Sequence, residues 1–404
     1  MSKKRIYLDY TILIPYLILS SLGVLMVYSA SSYSLMIEGK NEAKQAIMQG
    51  LFFVFSLIAI VFIYKMKTSV FQNKKFIQIA MAIIGIMLVL TRFTPLGVEV
   101  NGAKGWLKIG PGQIQPAEFL KIMLVWYLAY ILARRQDKIE DNFKEAAQSP
   151  IFIVSLLIFM VLIQPDTGGA MILLAIASVM FFASGISYIY SMLIAGGGFI
   201  VGVGLLELII VTKGKIFPGR LKYIYDRFAI YKNPFIDPFD KGHQMVNSYY
   251  AIYNGGWFGV GLGKSVQKKG FLPEAQTDFM FSIVLEELGL IIGILILLLL
   301  LFLIIRIIWV GIKAKKPFNS MMCIGIGGML FIQTFVNVGG ITGFIPLTGV
   351  TFPFLSQGGS SLLTLSIGIG FVLNICADEK RHLELGSVES NKDEIGDVVQ
   401  LPRS

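Results

Sequence analysis

Hydrophobic residues in this chain come in long unbroken runs separated by short polar links. A run of about 20 apolar residues is the length that crosses a bilayer as a helix. Ten stretches meet or approach that length: about 11–30, 46–64, 76–92, 117–133, 150–164, 168–184, 190–212, 279–305, 320–337 and 359–376. The pair 150–164 and 168–184 is short, so one re-entrant hairpin is an alternative to two spans there. The first run has no small-residue cleavage site after it and reads as an uncleaved anchor.

Composition agrees with this pattern: 55% of the residues are hydrophobic, 15% are charged, and the mean hydropathy is +0.71. A soluble domain carries about 25% charged residues. Lysine and arginine then orient the spans. Fifteen fall in the links at 3–5, 65–75, 134–144 and 306–316, against four (Lys40, Lys44, Lys104, Lys108) in the opposite short links. The prediction is an all-α integral membrane protein with about ten transmembrane helices, both termini cytoplasmic, and one large extracellular loop at about 213–278. Residues 1–377 form the membrane domain. Residues 378–404 are polar and acidic and read as a disordered cytoplasmic tail.

The outer loop stands apart. It holds ten basic residues against five acids, with Tyr223, Tyr225, Phe228, Tyr231, Phe235 and Phe239 spaced through it. Plain solvation explains such lysines, and so does a bound anion such as a phosphate or pyrophosphate.

Polar clusters gather on the outer side. Glu118 follows Pro116 at the start of a span, where a carboxylate favours the helix dipole, and Lys121 shares its face. Asp166 lies between two spans as a turn or cap residue. Asp278 stands at the entry to the apolar run 279–305, with Thr277 as a rival cap. Ser282 and Glu286 follow at i+4 and i+8, about 80° from Asp278 at most, while Glu287 points away. The stretch Gly339–Ser361 is broken by glycine and proline and offers Ser356, Gln357, Ser360 and Ser361. Irregular backbone at membrane depth is buried or lines a wet cavity. An acid and a base at that depth make a site candidate.

There is no nucleotide phosphate loop, His243 and His382 are not at metal spacing, and Cys323 and Cys376 lie in separate apolar runs. What remains is carboxylates that can take a proton from a hydroxyl and lysines that can steady a phosphate leaving group. A transporter uses the same inventory.

The segment from Gly261 to Gly289, GLGKSVQKKGFLPEAQTDFMFSIVLEELG, resembles the signature of the SEDS family (shape, elongation, division and sporulation proteins). The blocks NGAKGWLKIGPGQIQPAEFLK, QPDTGG, NPFIDPFDKGHQMVNSYYAIYNGGWFG and GVTFPFLSQGGSS match the family's others in order. The match runs from Asp9 to about Arg381 and leans to the division branch over the elongation branch. The resemblance implies ten membrane helices and a peptidoglycan glycosyltransferase acting on lipid II. It implies a class B penicillin-binding protein (a transpeptidase) as partner, with other division proteins at the septum, and no nucleic acid. It places the essential aspartate at Asp278 as general base. Substrate contacts are expected from Glu118, Lys121, Asp166, Lys268, Lys269, Glu274, Ser282, Glu286, Ser356 and Ser360. The metal requirement stays open, with a divalent cation (Mg or Mn) allowed on the diphosphate. Two positions depart from the family pattern: Gln276 stands where many members have His, and Gln357 where many have Tyr. A lipid II flippase and a non-catalytic scaffold are the competing readings.

Overall fold

The computed structural model describes residues 7–100, 103–110, 112–136, 143–186, 189–190, 192, 207–208, 211–212, 231, 233–240 and 242–398. Helices dominate: α1 Tyr10–Ile37, α2 Lys44–Lys65, α3 Lys74–Phe93, α4 Pro116–Arg134, α5 Phe143–Ile163, α6 Thr167–Ala183, α7 His243–Gly255, α8 Met280–Lys313, α9 Pro317–Ile341 and α10 Gly359–Val398. All but α6 and α7 carry a stretch long and apolar enough to cross a membrane, which makes eight among the described residues. The 17-residue α6 is apolar but shorter than these eight. Most of the expected span 190–212 lies outside the described residues.

The helix starts follow local chemistry. Asp9 caps α1 by accepting from Thr11 N at 3.1 Å, and Asn73 caps α3 by accepting from Lys75 N at 2.9 Å. Pro116 and Pro317 open α4 and α9 at the turn where a missing N–H costs nothing. α5 and α6 are two separate helices joined at Gln164–Asp166, and α5 alone is long and apolar enough to cross a membrane.

Burial ranks the helices. In the most apolar stretch of α4 and α10, 78% and 89% of the residues are buried, against 17% in α3. α4 and α10 are therefore inner posts, and α3 lies at the periphery with most of its surface exposed. Trp126 of α4 and Phe371 of α10 meet at 5.3 Å between ring centres, with Phe71 T-shaped against both.

The chain is nearly all helical, as expected, and adds one small sheet: three antiparallel strands, β1 Gly97–Val100, β2 Ala103–Ile109 and β3 Gly112–Ile114, pair in sequence order on the outer side. Their alternation is visible in Val98-Glu99-Val100, and Asn101-Gly102 between two such runs is a strong hairpin signal. Lys104 Nζ donates to the Thr94 carbonyl at 3.0 Å and ties the sheet to the end of α3. The polar stretch after Ala377 also starts in order. α10 runs on to Val398, and Asp378 and Glu379 accept bonds from Lys316 Nζ at 2.8 Å and Asn319 Nδ2 at 2.7 Å. Paired acids at a helix continuing from a buried span have partners that composition cannot reveal.

Candidate active site

Asp278 sits two residues before Met280, the first residue of α8, whose N-cap is Phe279 with no side-chain bond. It is not the cap. A tight turn delivers it: Glu274, at φ +57°, accepts from the N–H groups of Thr277 at 3.1 Å and Phe279 at 3.3 Å. The Glu274 carboxylate accepts from Thr277 Oγ1 at 2.8 Å, so Glu274 shapes the turn. Asn337 of α9 donates its side-chain amide to the Asp278 carbonyl at 2.8 Å and to Val350 O at 2.6 Å. A Cβ at Gly349 would lie 3.4 Å from Asp278 Oδ2. The bare backbone of the 342–358 link thus faces this carboxylate.

The same link collects the other acids. Glu118 and Lys121 form an ion pair of 2.8 Å with side chains 15% and 4% exposed. Lys121 also donates to Gln333 Oε1 at 3.3 Å, and Gln333 Nε2 reaches Thr351 O at 3.4 Å. Gln333 and Asn337 are one turn apart on α9 and so share a face. One bonds Thr351, the other Val350 and Asp278. The first turn of α6 closes in behind: a Cβ at Gly168 would meet Thr348 O at 2.6 Å. Asp166 caps that helix, accepting from Gly169 N at 2.8 Å, which bears out its bland reading without removing it from the site. Glu118, Lys121, Asp166 and Asp278 are therefore grouped around Thr348–Thr351, brought there by three separate elements: α4, the start of α6 and the turn before α8. The two departures from the family pattern also touch here, through Gln357 N donating to Gln276 O at 2.8 Å.

Other expected substrate contacts belong elsewhere. Ser282 is fully buried and shares a 2.9 Å bond with Ser248 of α7. Glu286 is fully buried against the 265–267 turn, taking donors from Ser265 Oγ, Val266 N at 3.1 Å and Gln267 N at 3.3 Å. The i+4 spacing does put Ser282 and Glu286 on one face, but that face is covered by α7 and its following turn. Lys268 is buried and paired with Glu287 at 2.6 Å, and both contact Ser29 of α1. Lys269 is exposed beside α1. Ser356 Oγ accepts from Phe352 N at 2.9 Å and Ser360 Oγ from Gln115 N at 3.1 Å, so both hold backbone. A buried carboxylate or hydroxyl goes where its donors or acceptors are, and helical angle alone does not say which neighbour supplies them.

Sequence reading missed how α8 is built. The helix breaks at Gly289, which has φ 82° and ψ 170°. The segment 256–261 fills the break. Val260 N and Gly261 N donate to the carbonyls of Glu286 and Glu287 at 2.9 and 3.0 Å, and Leu290 N and Ile291 N donate to Gly256 O and Trp257 O at 2.9 and 3.3 Å. Those four helix groups would otherwise be orphans in an apolar setting. The break redirects Met280–Leu288, the piece of α8 that follows Asp278. Gly289 and Gly259 are required: a Cβ on Gly289 would stand 2.4 Å from Gly259 N.

Comparison with known proteins agrees with this architecture. The family model described as cell cycle protein (FtsW, RodA and SpoVE) matches residues 10–381. The probable peptidoglycan glycosyltransferase FtsW of Lactococcus lactis subsp. lactis (strain IL1403) is 47% identical over 400 residues, 94% of each chain. Stage V sporulation protein E of Bacillus subtilis (strain 168) is 36% identical over 375 residues, covering 93% of this chain and 98% of that protein. Among solved structures, a chain of a peptidoglycan synthase complex described for its coordination of polymerization and crosslinking superposes with a TM-score of 0.72 at 24% identity, covering 92% of this chain and 98% of that one. The rod shape determining protein RodA of Thermus thermophilus gives a TM-score of 0.63 at 23% identity, covering 92% and 97%. The membrane helices, the grouped outer acids and these likenesses agree: the chain belongs to the FtsW, RodA and SpoVE family of cell cycle proteins.

Proposed function

We propose that this multi-pass membrane protein is a peptidoglycan glycosyltransferase of the division branch, polymerising lipid II on the outer face of the membrane. The observation that supports this reading most is the grouping of Asp278, Glu118–Lys121 and Asp166 around Thr348–Thr351 at the outer ends of the helices. Asp278 takes the proton from the sugar hydroxyl of an acceptor lipid II. The freed oxygen bonds to the anomeric carbon of the donor strand, and the bond from that carbon to the diphosphate breaks. Undecaprenyl pyrophosphate leaves, and Asp278 returns its proton to water. The Lys121 ammonium, itself held by Glu118 and Gln333, offers positive charge near this point.

No three acidic, histidine or cysteine side chains converge on one point among the described residues. A Mg or Mn ion held by the substrate phosphates would offset diphosphate charge there, and the role of Asp278 as base does not depend on it. A class B penicillin-binding protein is the proposed partner, and the division septum, with other division proteins, the proposed place of action.

The test is lipid II polymerisation in detergent by the purified chain with its transpeptidase partner. Asp278→Asn keeps the shape and removes the base, so the rate should fall about 10²–10⁴-fold. Native rates in the folded variant would remove Asp278 from this role. A transporter would make no glycan in detergent, where sidedness is lost.

A further inference from the structure

A cavity of about 390 Å³ opens on the other side of the 261–269 turn, between that turn and the outer end of α1. Its lining includes Tyr28, Ser32, Tyr33, Glu42, Lys268 and Lys269. The floor is built: Lys268 has a side chain only 4% exposed, held by Glu287 at 2.6 Å and Ser29 Oγ at 2.8 Å. An ammonium has three protons. The third has no acceptor among the described residues, and Lys268 lines the cavity. The Lys269 ammonium and the Tyr28 and Tyr33 hydroxyls also have no hydrogen-bond partner among the described residues. The unused groups are therefore mostly donors. The single acid of the lining is Glu42.

The lining also has apolar parts. Leu25 and Met36 of α1, 45% and 51% exposed, flank its polar residues, on a helix long and apolar enough to span the bilayer. Unused donors beside apolar surface suit a phosphate anion that carries a hydrocarbon tail. We infer that the cavity between α1 and the 261–269 turn is a second anion site, separate from the Asp278 cleft, for the phosphate or diphosphate headgroup of an outer-leaflet lipid. Lys269, Tyr28 and Tyr33 hold the headgroup, Lys268 supplies the charged floor, and the tail runs along α1.

The site is tested by binding, without turnover, so its outcome is separate from the role of Asp278. The full chain in phosphatidylcholine nanodiscs is titrated with farnesyl pyrophosphate and with inorganic pyrophosphate. Phosphatidylglycerol retention is read in parallel by native mass spectrometry. Lys269→Gln and Tyr33→Phe remove groups with no partner among the described residues, so folding is preserved. Each should weaken farnesyl pyrophosphate about tenfold, the size expected for a lost bond to a charged group. Glu42→Gln should tighten it. Lys264→Gln, in the same turn but outside the cavity lining, should leave it unchanged. A clear preference for the diphosphate marks a substrate or leaving-group site, and equal retention of phosphatidylglycerol marks a lipid anchor; either supports the anion site. Equal affinity in wild type and Lys269→Gln overturns it, as does an equal loss in Lys264→Gln, which would mean diffuse loop charge.

Discussion

The buried Lys268–Glu287 pair allows a quantitative test of how the loop carrying Asp278 is held. Their side chains are 4% and 0% exposed, so solvent screens little of the interaction. Ser29 donates to the two Glu287 oxygens at 2.8 and 2.6 Å, and Ser265 N adds a longer bond at 3.4 Å. Glu287→Leu leaves the Lys268 ammonium buried with only Ser29, and Lys268→Met leaves the carboxylate with neutral donors. Each single change should cost about 3–5 kcal/mol. Replacing both removes the uncompensated charge, and such apolar exchanges are often neutral. The residual loss is then the unsatisfied Ser29 hydroxyl, about 1–3 kcal/mol, which Ser29→Ala should recover in part. Thermal melts in detergent, followed by the surviving monodisperse fraction, read all four proteins of the cycle. The double variant should melt well above either single one. If the two losses simply add, the pair does not carry the coupling claimed for it.

Other expectations follow from single contacts. Asn337→Leu removes both bonds that seat Asp278 and Val350; with the bundle still folded, polymerisation should fall by up to about 10²-fold, the effect of misplacing a reacting group by about 1 Å. Gly289→Ala meets both a positive φ and the Gly259 backbone and should abolish folded expression, whereas Gly39→Ala, at φ +66° with nothing within 4 Å, should cost only about 1–2 kcal/mol and express. Burial pushes the Asp9 carboxyl up, but bonds from Thr11 and Arg306 and the charges of Arg306 and Lys380 outweigh it and hold the pKa below its ordinary 3.8. Its stabilisation is therefore full above pH 3.8 and lost as pH falls through the lower folded value. Melts of Asp9→Asn should lie below wild type at neutral pH and converge with it in that acid window.

The spans were legible because lipid demands long apolar runs, and the described helices that answer to expected runs start within a few residues of them, except α5, which begins at Phe143. There the polar first turns of a helix carry no apolar signal. Asp278, Glu118, Lys121 and Asp166 were legible as site candidates from charge at the membrane edge and from the family blocks. Ser282 and Glu286 were misplaced because period gives a face, and only tertiary structure says that α7 and the 265–267 turn cover it. The sheet at 97–114 was missed because a search by helix-length runs passes over four-residue alternation. The break in α8 had no warning in hydropathy, since Gly289 lies in the Glu286-Glu287-Leu288-Gly289 run before the most apolar part of the helix.

The hydrogen bonds that join residues 256–261 to 286–291 run between main-chain atoms. On the 256–261 side they make no demand on the side chains of Trp257 and Phe258, provided the glycines at 256, 259, 261 and 289, all at positive φ, remain. Trp257 and Phe258, 65% and 84% exposed, are then free to change identity without disturbing the helix below or the aspartate above. The chain can alter the outward face of this loop, and with it what that face meets, at a rate uncoupled from the constraint on its chemistry.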